Sequence, residues 1–270
     1  MGVIETATSP WGQTVPIHIS FFLIWVAAIG GLAFLIGHAI WALVFVGKDE
    51  YAPTSAPANV PEKIARHSLA ARLFHWIMAL AMFVLLFTAF LPKLGYEFAW
   101  VTWHWIAGLV LTASILYHII HASFWLDFWS IWPDKIDMED AKRRWLRATG
   151  KPAPAPRKFA KYPLENKIYH AVIVLAGLAV TITGVFMMKR VRTPFFTRNP
   201  YLFGDMTWGL MYVLHGLAGV GLIALIMAHV YFALRPEKLV ITKSMISGSL
   251  SREHYLEHHD PQRWIPESTK

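Results

Sequence analysis

Residues 104–118 read HWIAGLVLTASILYH, and residues 215–229 read HGLAGVGLIALIMAH. Each stretch is almost wholly apolar, opens and closes on histidine, and carries Ala-Gly at its fourth and fifth positions. Fourteen helical steps make nearly four turns, so both histidines of a pair share one face while standing about 21 Å apart along the axis. An ionisable group inside so apolar a segment is costly unless it faces a bundle interior or a cavity. The pattern therefore predicts two membrane-spanning helices, each presenting one imidazole near either side of a bilayer.

Composition supports lipid as the solvent. The 270 residues are 56% hydrophobic and only 16% charged, with 13 Trp, and the mean hydropathy is +0.42. Five apolar runs are long enough to cross a membrane, at about 17–47, 73–92, 99–123, 164–188 and 208–234. The first lacks a basic leader and a small-residue cleavage site, so it reads as a retained span. Basic residues collect in short cytoplasmic loops. Lys48, Lys63, Arg66 and Arg72 precede the second span, the 124–163 loop holds nine Lys or Arg, and six more follow residue 234. Residues 1–16 hold none, which predicts an outer amino terminus and a cytoplasmic carboxyl terminus. Lys189, Arg190, Arg192 and Arg198 break the pattern on the outer side. The net charge of +8 is thus chiefly a topology signal, and nucleic acid is not implied.

The chain is internally duplicated. Arg72-Leu-Phe-His75-Trp opens the second span and Lys167-Ile-Tyr-His170-Ala the fourth; thirteen positions after these histidines come Thr88-Ala-Phe and Thr183-Gly-Val. The spans that follow are the two histidine-bounded stretches. Two helix pairs in the same direction predict a pseudo-twofold axis along the membrane normal. Orientation then layers the histidines, with His104 and His215 outside and His75, His118, His170 and His229 inside.

With no cysteine, the chain has no disulfide, no thiolate iron–sulfur ligand and no Cys-x-x-Cys-His attachment. Facing histidines in a helix bundle suit axial ligation of haem b, which needs no covalent link. Gly108 and Gly219, one turn beyond the outer histidines, would make room for a macrocycle or simply allow close helix packing. His38 lies mid-span without a repeat mate and reads equally as a cross-helix hydrogen-bonding group. His121 sits near the membrane edge, and His18, His254, His258 and His259 are expected at or beyond the surface. Arg72, Lys167 and Arg235 flank the inner layer, as propionate partners or as topology anchors. Pro152, Pro154 and Pro156 mark an extended piece of the inner loop. The expected organisation is an extra amino-terminal transmembrane helix and linker (1–65), a duplicated four-helix haem-binding core (66–240) and a cytoplasmic tail (241–270), an all-α integral membrane fold.

Residues 66–266 resemble the cytochrome b (gamma) subunit of respiratory formate dehydrogenases and, more distantly, the cytochrome b of membrane-bound nickel–iron hydrogenases. The likeness rests on Arg72-Leu-Phe-His75-Trp, on His215 with His229, and on Gly248-Ser-Leu-Ser-Arg252 through His258-His259-Asp-Pro261 to Trp264. It implies an outer haem on His104 and His215 and an inner haem on His75 and His229. It further implies a bacterial inner-membrane location, an iron–sulfur or cytochrome subunit and a catalytic subunit on the outer face, and menaquinone or ubiquinone reduced near the inner haem. No catalytic side chain is assigned, because the redox chemistry belongs to the cofactors. Two departures stand out. The first span is additional, and His118 and His170 replace non-ligating side chains. As the repeat mates of His229 and His75, they open the choice between two haems and three, while His118 with His229 is a further pairing. The scaffold also suits a quinol-oxidising cytochrome b feeding an external terminal reductase. In another class, the histidines would line a proton path in a haem-free transporter or anchor.

Overall fold

The structure, a computed structural model, describes residues 2–45, 51–54 and 59–266. Lys48, Lys270 and the end of the first apolar run lie outside the described residues. The fold is mostly helical, and five helices are long and apolar enough to cross a membrane. They are α1 (Phe22–Phe45), α2 (Leu69–Phe90), α3 (Trp100–Trp125), α5 (Leu164–Met187) and α6 (Asp205–Leu234). α4 (Lys135–Ala148), α7 (Leu239–Ser247) and α8 (Arg252–His258) are shorter. The chain divides into two compact units: residues 1–40, 75–118 and 173–231, and residues 41–74, 119–172 and 232–270.

The first unit is organised by α6. Its Gly184-facing histidine, His215, meets α5, and the His104 and His75 rings of α3 and α2 lie against its His215 and His229. α1 packs on it where Met227 reaches Gly31 and where the Tyr231 hydroxyl bonds His38 Nδ1 at 3.1 Å. His38 thus takes the cross-helix role. Large apolar side chains such as Leu43, Leu80 and Leu175 point outward, as expected of helices solvated by acyl chains.

The first apolar run starts later than its letters suggest. Residues Ile4–Thr8 (β1) and Thr14–Ile19 (β2) form an antiparallel hairpin that turns at Gly12, whose φ is +78°. Ile17 and Ile19 alternate with Pro16 and His18, the period of a strand. β2 lies on the beginning of α6, where a Cβ at Gly209 would collide with the Pro16 carbonyl. Two turns on, a Cβ at Gly216 would stand 3.0 Å from Ile19. The basic segment after α5 is equally structured: the Arg190 guanidinium lies over Trp208 and Tyr212, and Trp208 donates to the Pro200 carbonyl at 2.9 Å.

In the second unit the segment between α3 and α5 contains a helix, and the tail is folded. α4 begins with a reciprocal cap: Asp134 accepts from the Asp137 amide at 2.8 Å and Asp137 accepts from the Asp134 amide at 3.0 Å. The tail folds back on residues 60–66. Strand Ser249–Ser251 (β4) pairs with Lys63–Ala65 (β3), and Ile64, Leu250, Tyr255 and Trp264 share a small core with Val60. Gly248 is required at the bend, since its φ is +85° and a Cβ would stand 2.9 Å from the His67 carbonyl.

His259, expected at the surface, is 1% exposed. It lies between Tyr255 and Trp264, and its Nδ1 is 2.7 Å from the Ala160 carbonyl. The tail carries enough apolar surface to bury its own histidine, which a count of hydropathy along the chain does not register. Lys167 is also buried: its ammonium lies 2.6 Å from Asp137, and Arg263 reaches the same carboxylate at 2.9 Å. Arg72 donates to the Ile246 carbonyl and Arg235 pairs with Glu237. Burial alone would raise the Asp137 carboxyl, but hydrogen bonds from Lys167, the Asp134 amide and Arg263 bring it below its ordinary value.

Two outcomes follow from this packing. Lys167→Ala leaves a buried carboxylate with half its compensation and should cost about 3 kcal/mol, read as earlier thermal unfolding of the tail region by limited proteolysis in detergent. Burial and then the adjacent Arg66 charge push His259 down to about 3 from 6.5. The unfolded tail therefore binds the extra proton first, and stability present above pH 6.5 is lost as the pH falls below it, toward the folded value. Protease sensitivity of residues 248–266 should rise between pH 6.5 and 4, and His259→Asn, which keeps a donor for Ala160, should flatten that rise.

Candidate functional site

The first unit places four of the six repeat histidines in two facing pairs. His104 of α3 and His215 of α6 have ring centres 6.2 Å apart. His75 of α2 and His229 of α6 have ring centres 6.3 Å apart. The pairs are separated along α6 by fourteen residues, about 21 Å of helix. His118 lies in the first unit and His170 in the second, where the Trp132 indole meets the His170 ring edge-on at 5.6 Å. His121 stacks on Trp125 at 6.1 Å.

α2 and α5 each add a hydroxyl to the His104–His215 pair. Thr88 Oγ1 lies 2.8 Å from His104 Nδ1, and Thr183 Oγ1 lies 2.9 Å from His215 Nδ1. Both threonines are buried, at 4% and 5% exposure, and each also donates to its own helix, to Val84 O at 2.7 Å and Ala179 O at 2.5 Å. A hydroxyl has one hydrogen. With it spent on the helix carbonyl, Oγ1 is an acceptor toward the ring, so Nδ1 carries the proton and Nε2 keeps its lone pair. The sequence showed these threonines recurring at one offset, but their role depends on side-chain direction and was not legible there.

The donor set suits a metal held between imidazoles. Two imidazoles on opposite sides of one metal ion, each nitrogen about 2 Å from it and each ring centre about 1 Å further back, stand about 6 Å apart centre to centre. Both observed pairs match that spacing. One turn from each ligand of the first pair the chain is uncrowded: a Cβ at Gly219 would meet nothing within 4 Å, and one at Gly108 only Leu85 at 3.9 Å. Gly184 has the opposite character, since a Cβ there would press on His215 Cε1 at 3.3 Å. Among the described residues there is no cluster of three or more His, Asp or Glu that would hold a bare metal ion. Paired histidines without carboxylates match the ligation of haem iron better than that of a free cation.

No curated protein matches the chain. Residues 66–248 match the family model described as prokaryotic cytochrome b561. The match runs from the approach to α2 through the end of α7, and so contains all six repeat histidines, Thr88 and Thr183, while α1 and the folded tail lie outside it. Members of that family are membrane proteins that bind haem b and carry electrons. With well over half its length matched, together with five spanning helices and imidazoles paired at iron-ligating distance, this chain belongs to the prokaryotic cytochrome b561 family.

Proposed function

We propose that the chain is the membrane-anchoring, quinone-reactive cytochrome b subunit of a respiratory oxidoreductase of the formate dehydrogenase or nickel–iron hydrogenase type. Two b haems are assigned, one on His104 and His215 and one on His75 and His229. The observation that carries the assignment is the pair of ring separations, 6.2 and 6.3 Å, repeated at two depths of one helix bundle. His118 and His170 are left without a haem, and the contact of His170 with Trp132 suits a packing role.

The charge distribution supports the orientation. Lys and Arg concentrate in residues 124–163 and after residue 234, which the positive-inside tendency puts in the cytoplasm of a bacterial inner membrane. The His104–His215 pair then lies toward the outside, within reach of an iron–sulfur or cytochrome partner that hands over electrons from a catalytic subunit. The His75–His229 pair lies toward the cytoplasm, where a menaquinone or ubiquinone takes up two electrons and two protons to become the quinol. Haem iron supplies the one-electron redox change. The side chains of this chain supply ligation, spacing and a dry path, and the lipid-facing helices hold the assembly in the bilayer.

Haem content tests this reading directly. The purified protein should give two haem b per chain by pyridine haemochrome, and a count of three or a spectrum without a haem b band overturns it. His104→Ala and His75→Ala should each remove one haem. Only His75→Ala should abolish quinone reduction while leaving the remaining haem reducible by the partner subunit.

A further inference from the structure

We propose that Thr88 and Thr183 are positioning residues that set the tautomer, the ring orientation and thereby the reduction potential at the His104–His215 pair. The proposal rests on the haem assignment above and concerns residues to which neither the family likeness nor the ring spacing assigns a role.

Two matched features carry it. The two contacts are nearly identical, 2.8 and 2.9 Å, although they are made by different helix pairs, α2 with α3 and α5 with α6. Each hydroxyl is anchored in the same way, bonded both to the carbonyl four residues back and to the one three residues back, so it is held as a fixed acceptor and not as a rotor. The carbonyls that share each hydroxyl's hydrogen, Leu85 and Val180 among them, only accept and so offer the ring no competing proton. The hydroxyl contact thus calls for a protonated Nδ1 on each ring, leaving Nε2 bare. Gly184 adds a steric part, because a Cβ there would stand 3.3 Å from His215 Cε1 and press on the ring.

The chemical consequence has a definite sign. A ligating imidazole that donates its other N–H to an acceptor becomes a more basic ligand, and a more basic ligand favours ferric over ferrous iron. Two such bonds, one behind each ligand, lower the potential of this haem. A low potential suits the haem that receives electrons first and passes them on, so the hydroxyls help direct the current across the membrane.

The test is a redox titration of the full-length, haem-loaded protein, read by absorbance and by low-temperature electron paramagnetic resonance. Thr88→Val and Thr183→Val keep the shape and remove the acceptor. Each should leave two haems bound and raise the midpoint of the haem that His104→Ala removes, with a roughly tenfold fall in the oxidised-to-reduced ratio at fixed poise, about 59 mV for one electron. The double variant should shift further, and Thr88→Ser and Thr183→Ser should restore the original midpoint and signal. Unchanged midpoints and signals in the valine variants overturn the proposal, as does a serine variant that behaves like valine, or a shift confined to the other haem. If His104→Ala keeps both haems, the ligand assignment itself fails and this proposal falls with it. A normal response to His104→Ala with silent threonines removes only the present inference.

Discussion

An imidazole in hydrocarbon has two nitrogens to satisfy and no water to do it, and the first unit is arranged around that requirement. At His104 and His215 one nitrogen of each ring, Nδ1, is met by a hydroxyl from the neighbouring helix, and the two ring centres stand 6.2 Å apart. This links four helices at one level: α2 and α5 supply acceptors, while α3 and α6 supply the rings. Small residues follow from the same demand. Gly184 lets the His215 ring lie in place, and Gly108 and Gly219 leave the space beside the rings unfilled. Helix packing that maximised contact would have closed that space.

Much of this was readable in the chain itself, because the signals are periodic. The fourteen-residue histidine spacing, the five apolar runs and the clustering of Lys and Arg all survive without knowledge of tertiary contacts. The spans match the helices to within a few residues except at the first, where hydropathy cannot tell a strand of alternating Ile and Pro from the start of a helix. The period of two at Val15, Ile17 and Ile19 was the available clue. The segment after α3 hid α4 for another reason: its helix is polar, and its evidence is the cap formed by Asp134 and Asp137, not an apolar stripe.

The tail was least legible, since its order comes from distant partners. His259 is buried by Tyr255, Trp264 and the Ala160 carbonyl, and the Arg66 guanidinium is sandwiched over Tyr162 and Trp264. Tyr255 and Trp264 lie only four and five residues from His259, but the Ala160 carbonyl and both partners of Arg66 are about a hundred or more residues away. The resemblance did mark the Gly248–Trp264 segment as unusual, and the structure supplies the reason: a glycine that only a positive φ allows, followed by a strand and a helix that close over Ile64. Lys167 shows the limit of depth arguments. Its position beside an expected haem layer suggested a propionate partner, yet two carboxylates of α4 and its cap neutralise it.

The duplication gives the two histidine pairs different characters. His104 and His215 are equivalent positions of the two halves, so a ligand between them would lie on the expected pseudo-twofold axis, flanked by the matched threonines. His75 and His229 are not equivalent: one opens the first helix of the first half, and the other lies deep in the second helix of the second half. A pair of that kind lies off the axis, and strict symmetry would demand its mate from His118 and His170. Under the assignment proposed above, His118 and His170 would carry no iron, and packing contacts such as that of His170 with Trp132 would be open to them. The same assignment would make one flank of the bundle chemically distinct from the other. An electron passing from the His104–His215 site would then have one off-axis destination, at His75 and His229, and the quinone would be reduced on that side.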